Sequence, residues 1–176
     1  MSSNLRQHLV GIAQMKVSNN PEEILTAPNL GSCVGISVYD PHMRIGGLIH
    51  CLLPLSKNDP QKAASNPCMY VDTGLTVLFD TILSQGCDKR NLRLAAVGGA
   101  NINDENNIFE VGKKNITVLK KFLWKNSFLL SAEDFGESVS RTISLYIGNG
   151  RTILRCNGET RDLIIGDIHG VQHSDC

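Results

Sequence analysis

Hydrophobic positions along the chain recur with two periods. Val34, Ile36 and Val38 alternate with Gly35, Ser37 and Tyr39, the period-two pattern of a half-buried strand. Asp40–Pro41 closes that run in a turn, and residues 45–53 (IGGLIHCLL) predict a second strand. The short connection predicts that the two strands pair antiparallel. Upstream, residues 8–17 read as one strand, Asn19, Asn20 and Pro21 as a turn, and residues 22–28 as a weakly extended segment. Leu92, Leu94, Ala96 and Val97 predict a buried strand running into Gly98–Gly99. Residues 127–134 predict another, and residues 139–147 and 151–155 predict a hairpin about Asn149–Gly150.

The period changes to helical spacing twice. Leu75, Leu78, Phe79 and Ile82 form a stripe over 72–85, and Ile116, Leu119, Phe122 and Leu123 form one over 112–124. Asp72 or Thr73 is suited to cap the first helix, and Gly86 to end it. Residues 54–70, rich in Pro, Ser, Asn and Asp, carry neither period and predict a long loop, the kind that often serves function. Residues 101–107 read as a polar loop, and residues 157–176 yield no clear element. Many strands and two helices without strict alternation predict an α+β fold. At 176 residues the chain is expected to form one domain over 1–156, followed by a tail over 157–176.

Charge narrows the function. Seventeen basic residues balance 17 acidic ones, so no global field draws the chain to nucleic acid or an anionic membrane. The clusters Lys113–Lys114 and Lys120–Lys121 fit solvated helix faces. No run reaches the roughly 18 apolar residues of a membrane helix. The start MSSNLRQHLVG lacks the charged head and apolar run of a secretory signal, so a cytoplasmic address with reduced thiols is expected. The six cysteines include no CxxC pair, so no metal is expected, and no cofactor motif is evident. A site built from Cys33, His50, Cys51 and Cys68 has little specificity, because Cys51 should face away from His50 on a regular strand.

The candidate chemistry is a thiol and an imidazole. Cys33 follows Leu30–Gly31–Ser32 and opens a strand, where Gly31 leaves room for substrate. The backbone N–H groups of Ser32 and Cys33 are suited to a developing oxyanion. His50 lies seventeen residues on, and the turn at 39–44 should fold it back toward Cys33. An adjacent imidazole raises the thiolate fraction of a cysteine nucleophile. Against this stands the ordinary reading, in which Cys33 is a small buried hydrophobe and His50 a satisfied core histidine.

The segments LGSCVGISVYDP and GGLIHCLLP resemble the CheD family of chemoreceptor glutamine deamidases. YVDTGL, AAVGGAN and VGKKN follow in the same order, and the resemblance covers roughly residues 9–155. It implies a mixed β-sheet sandwich with flanking helices, shared with toxin deamidases. It also implies hydrolysis of a protein glutamine amide through a Cys33 thioester, with His50 as base and acid. Implied partners are the cytoplasmic domain of a chemoreceptor and a CheC-type phosphatase. Three departures stand out. The family commonly has a hydroxyl residue six positions before the cysteine; here that position is Ala27, and a one-residue slip would bring Thr26 inward as the third catalytic residue. A family acidic–basic pair is Lys113–Lys114 here, and Glu137 stands where a second glycine is common. Asp72 and Thr73 either cap the first helix or touch substrate. Two rival readings remain: a weakly catalytic docking module, favoured by Ala27, and a cysteine peptidase or other amidase.

Overall fold

A computed structural model describes residues 5–102 and 110–167 of the chain. Ten strands form two five-stranded mixed sheets. One has the order β1 (Arg6–Leu9), β3 (Glu23–Leu30), β8 (Arg141–Tyr146), β9 (Thr152–Cys156) and β10 (Glu159–Ile164). The other has the order β2 (Gln14–Ser18), β5 (Ile45–Cys51), β4 (Val34–Asp40), β6 (Arg93–Gly98) and β7 (Ala132–Phe135). Pairs β1–β3 and β6–β7 are parallel and the others antiparallel.

The alternation along β4 and β5 sorts their side chains into two cores. Tyr39 and Leu48 meet Leu25, Ala27, Leu30, Ile143 and Leu145 of the other sheet, an apolar interior between the two sheets. Val34, Ile36, Val38, Ile49 and Cys51 face the opposite way. There they pack against two long helices, α2 (Val71–Ser84) and α3 (Val111–Lys125), after a short α1 (Pro60–Ser65). The order is sheet, sheet, helices, the mixed α+β architecture expected. β4 and β5 lie in the middle layer and are buried on both faces.

The turn between them fixes their register. The Asp40 carboxylate accepts hydrogen bonds from His42 N–H (2.8 Å) and Met43 N–H (3.1 Å), and Arg44 takes a left-handed φ of 52°. Asp40 then pairs Ile45, and the ladder runs back to Gly35 opposite His50 and Val34 opposite Cys51.

Several expectations are corrected. Residues 8–17 are not one strand: the chain breaks at 10–13, where Ala13 has φ 59°, and β1 and β2 join different sheets. Residues 22–28 form part of a full inner strand, because pairing with both β1 and β8 outweighs weak local preference. Residues 54–70 are not a plain loop. Asp59 accepts from Lys62 N–H and Pro60 starts α1, the usual cap-and-proline pair. Neither Asp72 nor Thr73 is the N-cap residue of α2, which is Tyr70. Asp72 instead accepts from Ser56 N–H (3.0 Å) and Ser56 Oγ–H (2.8 Å), and Thr73 Oγ1 donates to the Pro67 carbonyl (2.7 Å), so both tie 54–70 onto the helix. Residues 127–131 are not strand, since Ser127 at φ 54° turns Phe128 onto Phe79, ring centroids 3.8 Å apart. Beyond Cys156, Asn157 (φ 53°) and Gly158 (φ 79°) turn the chain into β10, so the sheet runs on to Ile164. Of the loop expected at 101–107, residues 103–107 lie outside the described residues.

Candidate active site

Cys33 sits one residue before β4, and His50 one residue before the end of β5. Gly35 is opposite His50, so a ladder extended by one pair sets Cys33 diagonal to it. Diagonal neighbours of this kind lie about 7–8 Å apart, within reach of an imidazole. Both belong to the face turned toward the other sheet, and Gly35 between them has no side chain to intervene. A Cβ on Gly35 would stand 2.7 Å from Leu30 Cδ1, so that face has no spare room. Cys33 is 6% exposed and His50 1%. Cys51, adjacent to His50 in sequence, belongs to the helix-facing core, as strand alternation requires.

The imidazole is held from one side only. Nδ1 lies 3.4 Å from the Val10 carbonyl, and Nε2 is buried without a hydrogen-bond partner among the described residues. A carbonyl only accepts, so Nδ1 carries the proton and Nε2 presents its lone pair. Burial pushes the Cys33 thiol pKa up, opposed by its own backbone N–H, which stabilises negative charge on sulfur. Burial pushes His50 down, opposed by the Val10 carbonyl. Both directions favour a neutral pair at rest.

Thr26 and Ala27 fall on opposite faces of β3. Ala27 lies in the inter-sheet core with Cys33. Thr26 points outward, where its Oγ1 meets Gln7 Nε2 (3.0 Å) and Ser144 Oγ (2.9 Å). The register with β8 pairs Thr26 with Ser144 and Ala27 with Ile143, and a one-residue slip would turn every β3 side chain over. The structure therefore does not bring Thr26 to the thiol–imidazole pair. Nor does it leave Asp72 or Thr73 free, since both are engaged with 54–70.

The segment carrying Cys33 is clamped by backbone and by one amide. Gly99 N–H donates to the Cys33 carbonyl and Ala100 N–H to the Gly31 carbonyl, each at 2.8 Å. Gly98 has φ 111°, and a Cβ there would lie 2.2 Å from the Cys33 oxygen, so this approach requires glycine. A Cβ on Gly112 would lie 2.6 Å from the Gly99 oxygen, which lets the start of α3 close on the same turn. Asn115, fully buried, donates through Nδ2 to the carbonyls of Ser32 (2.9 Å) and Leu52 (3.0 Å). One side chain thus joins the residue before Cys33 to the segment after β5.

Sequence reasoning missed Val10 and Asn115. Val10 acts through its carbonyl, which no side-chain pattern reveals. Asn115 had a signal: it precedes Leu119 and Leu123 at spacings of four on the buried stripe, a place for an amide only when it bonds inward. Asn115→Leu is expected to cost about 2 kcal/mol, because two buried carbonyls lose their donor while one orphaned amide oxygen is removed. It should also speed alkylation of Cys33. Chemical denaturation and iodoacetamide kinetics check both, and an unchanged alkylation rate would mean the amide does not hold this segment.

Fold and site together define a two-sheet α+β protein that sets a thiol and an imidazole on one face of an antiparallel strand pair. The chain belongs to the CheD family: the family model described as CheD chemotactic sensory transduction matches residues 52–156. A protein of Solibacter usitatus (strain Ellin6076) named "Probable chemoreceptor glutamine deamidase CheD" is 41% identical over 160 residues, 91% of this chain and 95% of its own length. The protein of Syntrophus aciditrophicus (strain SB) named "Probable chemoreceptor glutamine deamidase CheD 1" is 40% identical over 150 residues, 85% of this chain and 94% of its own. A relative named as the first is, from Thermococcus kodakarensis, is 41% identical over 150 residues, 83% of this chain and 90% of its own. An alignment covering 160 of 176 residues must run through both Cys33 and His50.

Proposed function

We propose that this protein is a glutamine deamidase of chemoreceptors, converting a glutamine side-chain amide to glutamate and ammonia with Cys33 as nucleophile and His50 as base and acid. The observation that carries this reading is the His50 ring, with Nδ1 toward a carbonyl and a bare Nε2, beside Cys33 in a chain of the CheD family.

Nε2 takes the Cys33 proton as sulfur attacks the amide carbon. The oxyanion is stabilised by the backbone N–H groups of Ser32 and Cys33. The imidazolium returns its proton to the leaving nitrogen, ammonia departs, and a thioester remains. Water, deprotonated by Nε2, attacks that thioester and releases glutamate with the Cys33 thiol restored. In place of the hydroxyl residue common in the family at position 27, the Val10 carbonyl orients the ring. The sheet sandwich with helices on one side supports the toxin-deamidase type of cysteine hydrolase fold. No helix among the described residues is long and apolar enough to cross a membrane. The reading includes a cytoplasmic location and, from the family resemblance, a CheC-type phosphatase as second partner.

Ala27 favours a second reading, a docking module with little catalysis. Mass spectrometry of chemoreceptor cytoplasmic fragments separates the two. Expected are ammonia release and the mass increase of amide-to-acid exchange at particular glutamines, with the backbone intact. Unaltered fragments from well-folded protein would leave the docking reading, and cleaved backbone would mean a peptidase.

A further inference from the structure

Helix α3 carries five lysines and no acidic residue in a chain whose total charge is balanced. Lys113 pairs with Glu110 (3.6 Å) and Lys120 with Glu133 (2.8 Å). Lys114, Lys121 and Lys125 form no ion pair among the described residues. At 100° per residue these three fall on one exposed stripe, beside a second stripe of Lys113, Thr117, Lys120 and Trp124. Like charges at Lys121 and Lys125, four apart, destabilise the helix, as do lysines in its first turn. Trp124 is 81% exposed and Leu129, just past the helix, is 83% exposed. Neither the charge of Lys114, Lys121 and Lys125 nor the apolar surface of Trp124 and Leu129 is rewarded among the described residues.

Two grooves border the Lys113–Thr117–Lys120–Trp124 stripe, one on each side of it. Near its start, one of about 500 Å³ runs between Pro54 and Leu55 on one side and Lys113, Lys114 and Thr117 on the other, with Glu110, the partner of Lys113, also in its wall. Near its end, one of about 550 Å³ is walled by Lys120, Trp124, Phe128, Leu129 and Glu133. The first has Pro54 in its wall, two residues beyond Leu52, whose carbonyl Asn115 holds together with that of Ser32. Trp124 is nine residues further, about 13 Å along the axis. A linear partner lying along α3 would pass from the Pro54 groove to the Trp124 groove.

We propose that the lysine–tryptophan face of α3 is a docking track for an acidic, amphipathic helix of the protein substrate, anchored by an apolar side chain in the Trp124 groove. The identity of that protein rests on the deamidase reading above; the chemistry of the track does not. Unpaired lysines select acidic side chains, and a concave apolar end selects an anchor. The grooved shape disfavours a flat membrane surface.

Trp124 is the sole tryptophan in the chain, so its emission reports this surface directly. The full chain is titrated with a chemoreceptor cytoplasmic fragment, and separately with phosphatidylcholine vesicles containing phosphatidylserine. Expected is a saturable blue shift with the fragment, weakened by salt. A double variant, Lys121→Glu with Lys125→Glu, should bind about tenfold or more weakly. In turnover its KM should rise with kcat and the Cys33 alkylation rate unchanged. Deamidation by wild type with no Trp124 shift would overturn the track and leave the activity standing. A shift without deamidation would uphold the track and remove the activity. A shift with vesicles alone would assign the face to lipid and overturn the proposal.

Discussion

Cys33→Ala is expected to lower deamidation of a chemoreceptor fragment by about a thousandfold or more while leaving the fold and the binding of that fragment intact. The thiol lies where a methyl group is tolerated, at the edge of an apolar core, so its loss removes chemistry and little packing. His50→Ala should cause a loss of similar size, and the double variant little more, since a nucleophile and its base, the roles proposed for Cys33 and His50, act as one unit. The pH profile gives an independent check. Burial holds the His50 imidazolium pKa below its ordinary 6.5, so the ring stays neutral, able to accept the thiol proton, as pH falls through that value. The acid limb of kcat/KM should therefore lie below 6.5. Iodoacetamide labelling of the resting enzyme should rise only at alkaline pH, since burial raises the thiol. A Cys33→Ala protein that keeps its rate, or an acid limb well above the imidazole value, would remove the pair from the mechanism.

The largest expected loss of stability comes from Arg141→Met. This guanidinium, at the start of β8, is buried to 1% exposure and engaged through Nε and Nη1. Nε donates to Asp134 Oδ1 of β7 at 2.7 Å, and Nη1 to the Gly136 (2.8 Å) and Val139 (3.0 Å) carbonyls. It thereby ties the second sheet to the first and shapes the 136–140 connection. Removing it leaves a partly buried carboxylate and two carbonyls without their donor, a loss of about 3–5 kcal/mol by the usual cost of breaking a buried ion pair. The exposed Arg161, which also reaches Asp134, keeps part of that charge balanced and should itself be dispensable to within about 0.5 kcal/mol. Urea unfolding with an unchanged slope measures both. A shift below about 1 kcal/mol for Arg141→Met would mean that packing, and not the guanidinium, joins the sheets.

Glu137, where the family resemblance implies a second glycine, acquires a physical meaning in the structure. It has φ 57°, a left-handed conformation that glycine adopts freely and a glutamate only at a cost. Its carbonyl accepts from Asn101 N–H at 2.7 Å, which holds the conformation in place. Lys113 and Lys114, two lysines opposing the positive end of a helix, gain a meaning only once the other α3 lysines and Trp124 are seen on the same exposed arc.

What the sequence by itself determined is the set of elements whose signal is local. Period-two alternation placed β4 and β5 and their antiparallel pairing, and the Asp40–Pro41 turn placed His50 back beside Cys33, because the side-chain period of a strand is fixed by backbone geometry. Helical stripes placed α2 and α3 to within a residue, and Asn149–Gly150 placed the β8–β9 hairpin. The tertiary structure alone decided what depends on partners distant in the chain. The break at residues 10–13 sends β1 and β2 to different sheets, and only that places the Val10 carbonyl against His50. The pairing of β3 with β8 fixes which of Thr26 and Ala27 faces the core, a choice of register that neighbouring residues do not encode. Asn115 meets Ser32 and Leu52 across 83 and 63 residues because Gly98, Gly99 and Gly112 let three backbones approach more closely than any side chain would allow.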